Sequence, residues 1–202
     1  KSEFVDAKSG VSARLTISAY ENLLATAERR ALINNEKTTI VRISDFGGVV
    51  PSVTGKVELV YEGQQEGPGI VAHNLVGKAI RTQFVNYFPD PEKFRKQKDK
   101  SPYKKMSNWF GDGNTTDLLN DMSNVDYEKS LKAVPGLLDL VNDFHKGLDN
   151  NMKLFFMEFA LHGLAEFSLI SKHNLTSGLQ FKDLLSSMFS LPKAEDDESD
   201  SD

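Results

Sequence analysis

The sequence predicts a mainly α-helical protein with one short β element, ending in a helical bundle. Three observations carry that reading. Leu15, Ala19, Leu23, Ala27 and Ala31 recur at four-residue spacing, the apolar stripe of a helix. The stretch opening at Asn150 carries Leu154, Phe155, Met157, Phe159, Leu161, Leu164, Phe167 and Leu169. It is apolar nearly all round, as the central helix of a bundle should be. Only Val57, Leu59 and Tyr61 alternate with polar residues in the manner of a strand.

Composition excludes several classes. An apolar share of 39% and a charged share of 26% suit an ordinary globular chain. No run reaches the ~18 apolar residues of a transmembrane helix. With no cysteine, disulfides, thiolate metal sites and cysteine nucleophiles are ruled out. The net charge of −5 is local, because six acids crowd into residues 194–202. The rest is nearly neutral, and those last residues read as a disordered, solubilising acidic tail.

The elements follow in order. Residues 1–9 read as a linker. A helix from Gly10 to about Ile33 starts with Ser12 as N-cap and stops at Asn34-Asn35. Leu24 and Leu32 should widen its buried stripe, while Arg29 and Arg30 should face solvent. Thr38–Val41 is β-rich but short, and Ser44 or Asp45 can cap a short helix that Gly47, Gly48 and Pro51 weaken. After the strand-like arm at 54–63 comes a turn. Pro68 then suits the first position of a helix running to about Tyr87. Residues 89–101 read as a loop. Seven bases lie between Lys93 and Lys105, with Phe94 and Tyr103 among them. Phosphates could meet those bases and nucleobases could stack on those rings. Without wider basicity or a named motif, a solvated loop or a protein contact is the expected role. Helices are expected at 118–122, at 127–134 capped by Asp126, at 137–147, from Asn150, and from Ser177 through Phe189.

Residues 10–14 hold a motif. Gly10-x-Ser12-x-Arg14, followed by the Ala- and Leu-rich helix, resembles the sensor 2 segment of AAA+ ATPases of the MoxR and magnesium chelatase group. Lys37 to Phe46, ending Val41-Arg42-Ile43-Ser44-Asp45, is similar to the link and capped helix that follow in that group's lid. The likeness covers roughly residues 8–55. Thr54-Gly55-Lys56 with Glu58-Leu59, and His73 to Arg81, also look like the continuation of those proteins. The resemblance implies an AAA+ lid-like segment at 1–55, a β-arm, helix and basic loop at 56–115, a helical bundle at 116–192 and the tail at 193–202.

It also implies a function. Arg14, with Ser12, would reach the phosphates of ATP and Mg2+ held by a nucleotide-binding core. No Gly-x-x-x-x-Gly-Lys-Ser/Thr loop occurs in this sequence. The chain is therefore read as a C-terminal portion of a longer ATPase, with no catalytic residue and no metal site of its own. Implied partners are its own AAA+ core, neighbouring subunits of a ring, and a client or vWA-type protein, in the cytoplasm. Nucleic acid and membrane are disfavoured. The alternative is a stand-alone helical interaction module without nucleotide chemistry.

The physics of Arg14 agrees with such a role. A cation in the first turn opposes the helix dipole unless an acid such as Asp6 or a bound anion compensates it. A guanidinium can grip phosphate oxygens in pairs. Elsewhere the chemistry is thin. Asp112, Asn114 and Asp117 lack the ligand ladder and closing glutamate of a calcium loop. His162 is expected to be a hydrogen-bonded core residue, and Glu158 and Glu166 to sit at a salt bridge or a solvent edge.

Overall fold

Helix α1 (Arg14–Ile33) opens the fold, and the computed structural model describes residues 3–6, 12–54 and 56–185. Gly10 and the residues from Ser186 onward, including the acidic tail, lie outside the described residues. The protein is mainly helical, with a small three-stranded antiparallel sheet. Ser12 acts one step earlier than expected. Its Oγ accepts the Arg14 N–H at 3.3 Å, and the helix begins after Ala13.

The inward face of α1 is rotated from the expected stripe. Ala27, Arg30 and Ala31 are buried, whereas Leu24 and Leu32 are exposed, Leu32 at 78%. Polar contacts explain the rotation. The Asn22 amide donates to Ser52 Oγ at 2.7 Å, and Lys56 Nζ donates to Ser18 Oγ at 2.7 Å. A Cβ on Gly48 would fall 2.1 Å from Thr26 Oγ1, so the helix rests closely on the turn beneath it. Small and polar residues set the docking, and the leucines are left outside.

Residues 38–41 form no strand. Ser44–Val49 is a 3-10 turn that runs into α2 (Val50–Val53). The arm expected at 54–63 is also corrected. Leu59 makes a single antiparallel bridge to Val5, which ties down part of the expected linker. The chain then coils into α3 (Tyr61–Glu66). One bridge leaves the other peptide groups without a strand partner, and local helix satisfies them instead. Helix α4 (Pro68–Tyr87) starts with Pro68, as its sequence requires.

Residues 91–94 and 98–100 form two 3-10 turns before α5 (Lys104–Gly111). Strand β1 (Thr116–Leu119) replaces the helix expected at 118–122. Its burial alternates, with Thr116 and Leu118 inside and Asp117 and Leu119 outside, the period of a strand. Helices α6 (Asn124–Lys132, capped by Ser123 rather than Asp126), α7 (Leu137–Phe144) and α8 (Asn150–Glu166) follow. Strand β2 (Ser171–Leu175) comes next, and β3 (Gly178–Lys182) stands where the last helix was expected to begin. The sheet order is β1-β3-β2, with Thr116 opposite Phe181 and Leu118 opposite Leu179.

Helix α8 is central and packs on α4, α6, α7 and β2. Phe84 of α4 is fully buried and meets the rings of Phe88, Tyr103, Phe159 and Phe167 at centroid distances of 5.3–6.0 Å. Gly163 permits this approach, because a Cβ there would lie 2.0 Å from the Phe84 ring. The buried cluster runs from Ile43 to Phe181. No helix among the described residues is long and apolar enough to cross a membrane.

Candidate functional site

Arg14 stands exposed at the start of α1. Among the described residues, its guanidinium meets no carboxylate, and no salt bridge joins it to Asp6. The other five arginines are engaged. Arg29 pairs with Asp121 at 2.5 Å, Arg30 with Asp45 at 2.8 Å, Arg81 and Arg95 share Glu92, and Arg42 is held within the core. Ile17, Tyr20 and Leu24 follow Arg14 on adjoining turns and are also exposed. Of the residues singled out in the sequence, Ser12 and Arg14 are therefore joined to each other and to an apolar surface.

A second arrangement was hidden in the sequence. Arg30 is 1% exposed, not solvent-facing. Its Nε and Nη2 donate to the two oxygens of Asp45 at 3.3 and 2.8 Å, and it also reaches Thr39 Oγ1 and the Ile40 carbonyl at 2.9 Å each. Asp45 caps no helix. It takes the Arg42 N–H at 2.7 Å instead. Arg42 turns back over the Tyr127 ring, 3.9 Å from its centroid, and donates to the Met122 carbonyl and the Asn124 side chain. So the β-rich stretch 38–41 wraps around a guanidinium rather than joining a sheet.

Glu158 of α8 completes this network. It is fully buried, at neither a salt bridge to a surface cation nor a solvent edge. Its oxygens accept the N–H groups of Ile43 and Ser44 at 2.7 and 2.9 Å and the Tyr127 hydroxyl at 2.8 Å. Burial alone would raise its pKa, but these donors and the neighbouring His162 outweigh that and hold it below the ordinary carboxylate range. Burial raises the Tyr127 pKa well above normal, with Glu158 adding to the rise, so the phenol stays neutral and donating. Two buried cations face two buried carboxylates, and the charges balance.

His162, one turn beyond Glu158, is buried without a hydrogen bond on either ring nitrogen. It was expected to be hydrogen-bonded. Its Nε2 lies 3.8 Å from Glu158 Oε1, too far for a hydrogen bond. Burial depresses its pKa despite that carboxylate, so the ring is neutral at pH 7. His162 lines a cavity of about 670 Å³ between the 3-10 turn, α4, the end of α8 and the β2–β3 hairpin. Glu166 lies here, paired with Lys172 at 2.9 Å. A Cβ on Gly77 would fall 2.6 Å from the Glu166 carboxylate, so glycine lets that group lie against α4. Among the described residues, no three His, Asp or Glu side chains converge as metal ligands.

One signal in the sequence could have revealed the network. Arg30 falls between Ala27 and Ala31 on the small-residue face of α1, and Glu158 interrupts a helix that is otherwise apolar all round. A charged residue in either place must be buried with a partner.

No protein-family model matches the chain, and no curated protein and no solved structure matches it.

Proposed function

We propose that this chain works as the lid and accessory helical module of a MoxR or magnesium chelatase-like AAA+ ATPase. Arg14 would act as the arginine that senses bound nucleotide. One observation carries the reading: among the described residues, Arg14 alone of six arginines lacks a partner, at a helix start where a cation is disfavoured. A fixed oxyanion would supply what the dipole withholds, and ATP phosphates fit a planar, permanently charged fork. Ile17, Tyr20 and Leu24 give the same helix face an apolar surface for the nucleotide-binding core. ATP and Mg2+ would be held by that core, and Arg14 would respond to loss of the terminal phosphate.

The mechanical half of the proposal uses the buried network. Arg30 locks α1 to residues 39–45, and Glu158 locks Ile43 and Ser44 to α8. A displacement of α1 on hydrolysis would then reach the central helix, and through it a ring neighbour or client. The site of action would be the cytoplasm.

The test is Arg14→Ala in the protein that carries the nucleotide-binding core. ATP turnover should fall by about ten-fold or more, as when a charge-stabilising arginine is removed. Helical content and melting should stay unchanged, because the side chain is exposed. Unchanged turnover with the fold intact would reject the assignment and leave the interaction-module reading.

A further inference from the structure

We propose that the basic segment 91–105 is a docking surface for acidic polypeptide, and that its occupant is the chain's own acidic stretch, 195–202. The segment holds seven bases and two acids, a net charge of +5, and the stretch holds six acids and no base. The inference is separate from the reading of Arg14 and from any nucleotide.

The segment is built to hold its cations outward. It consists of two 3-10 turns and the start of α5, and its apolar residues face in. Pro91, Tyr103 and Met106 are buried, and Phe94 meets the Tyr103 ring edge-on at 6.5 Å. The Tyr103 hydroxyl donates to the Pro89 carbonyl. Lys93, Lys96, Lys98 and Lys100 are left exposed. Arg95 shares Glu92, Lys104 pairs with Asp99 and Lys105 with Asp139, whereas those four lysines make no ion pair among the described residues. Four like charges within eight positions repel one another, and a fixed polyanion relieves that repulsion.

The choice of occupant follows from what the surface offers. Phe94 and Tyr103, the two rings that could have stacked on nucleobases, are spent on packing. Charge remains, and an acidic polypeptide asks for charge alone. A run of contacts also leads from the last described residues to the lysines. Ser171 Oγ donates to the carbonyls of Lys182 and Asp183, and Lys172 pairs with Glu166. Arg81 joins the Glu166 carbonyl to the Glu92 carboxylate, which Arg95 shares. Ten positions separate Leu185 from Glu195, a reach of up to about 33–36 Å. A tether of that length concentrates the acids locally, so that individually weak surface pairs add together.

Spin-label NMR of the full chain tests the proposal. The sequence has no cysteine, so Ser199→Cys carries a nitroxide at one defined place. In about 10 mM salt, where charges act over about 30 Å, the amides of 93–105 should broaden and those of α1, with its exposed Arg14 and Arg29, should not. In about 1 M salt, where that range shrinks to about 3 Å, the broadening should vanish. Replacing Lys93, Lys96, Lys98 and Lys100 together by Gln lowers the segment from +5 to +1 and should weaken the broadening about five-fold or more. All four are exposed, so the fold should stand. No broadening in low salt, broadening spread evenly over α1 and the segment, or an effect unchanged by the four substitutions would overturn the proposal. Equal broadening with label and isotope on separate molecules would assign the surface to a second copy and overturn it too. An unbroadened segment whose amides shift with a single-stranded oligonucleotide would give the surface to nucleic acid instead.

Discussion

Arg14 and Arg30 belong to the same helix and live under opposite rules. Arg14 is exposed with no carboxylate near it among the described residues, at the helix end where a positive charge is disfavoured. Arg30 is 1% exposed, near the favourable end, with all its contacts inside the protein. The contrast separates a side chain kept available from one consumed by architecture. It also ranks what mutation should do at each end of α1.

The largest effect is expected at the buried end. Asp45→Ala leaves the Arg30 guanidinium desolvated and unpaired, which should destabilise the fold by about 3–5 kcal/mol in urea unfolding. A loss below about 1 kcal/mol would mean that water reaches Arg30 and that the two arginines differ less than their burial implies. Next is Tyr127→Phe, which removes the hydroxyl from Glu158 and should cost about 1.5–3 kcal/mol, the range for a hydrogen bond to a charged group.

Acid should sharpen the same contrast. The native pKa of His162 lies below its ordinary value of 6.5, so the unfolded chain takes up the proton first. Stability should then fall as pH drops below about 6.5, at a slope of up to about 1.4 kcal/mol per pH unit until the native value is reached. His173, lowered by burial and by Lys182, adds the same sign. Glu158 acts later. Its native value lies below 4.5, so the stability that it contributes is present above 4.5 and lost as pH falls through the native value. Denaturation midpoints across pH should show both phases, with the upper one reduced in His162→Gln. A flat profile between pH 6.5 and 5 would contradict the buried neutral ring.

The exposed arginines close the series. Arg29→Ala removes a pair with both side chains largely in solvent, 62% and 45% exposed, and should cost about 0.2–1 kcal/mol. Arg14→Ala should change stability by less than about 0.5 kcal/mol. A larger loss at Arg14 would show that it serves the fold after all.

The comparison also explains what could be read from the sequence. Helices with strong periodicity and clear ends were legible: Pro68 opens α4, Asn34 ends α1, and α8 is the apolar centre. The sheet was not. Strands of four and five residues carry too little pattern, and Leu179 and Phe181 fit either a helix or a strand when taken alone. Leu24 and Leu32 misled because apolar spacing gives one face of a helix but not what presses on it. In α1 the pressing surface is Gly48 and Ser52, which choose Thr26 and Asn22. The network of Arg30, Asp45 and Glu158 stayed hidden because a charge announces its burial only when its partner is known, and Glu158 lies more than a hundred residues from Ser44.

That separation has a consequence for synthesis. Arg30 and Asp45 are fifteen positions apart and can meet soon after they leave the ribosome. The amides of Ile43 and Ser44 must wait for a carboxylate made 115 and 114 positions later. Until then, the early helices carry an unfinished seam. Closing it late is slow, as contacts of long sequence separation are.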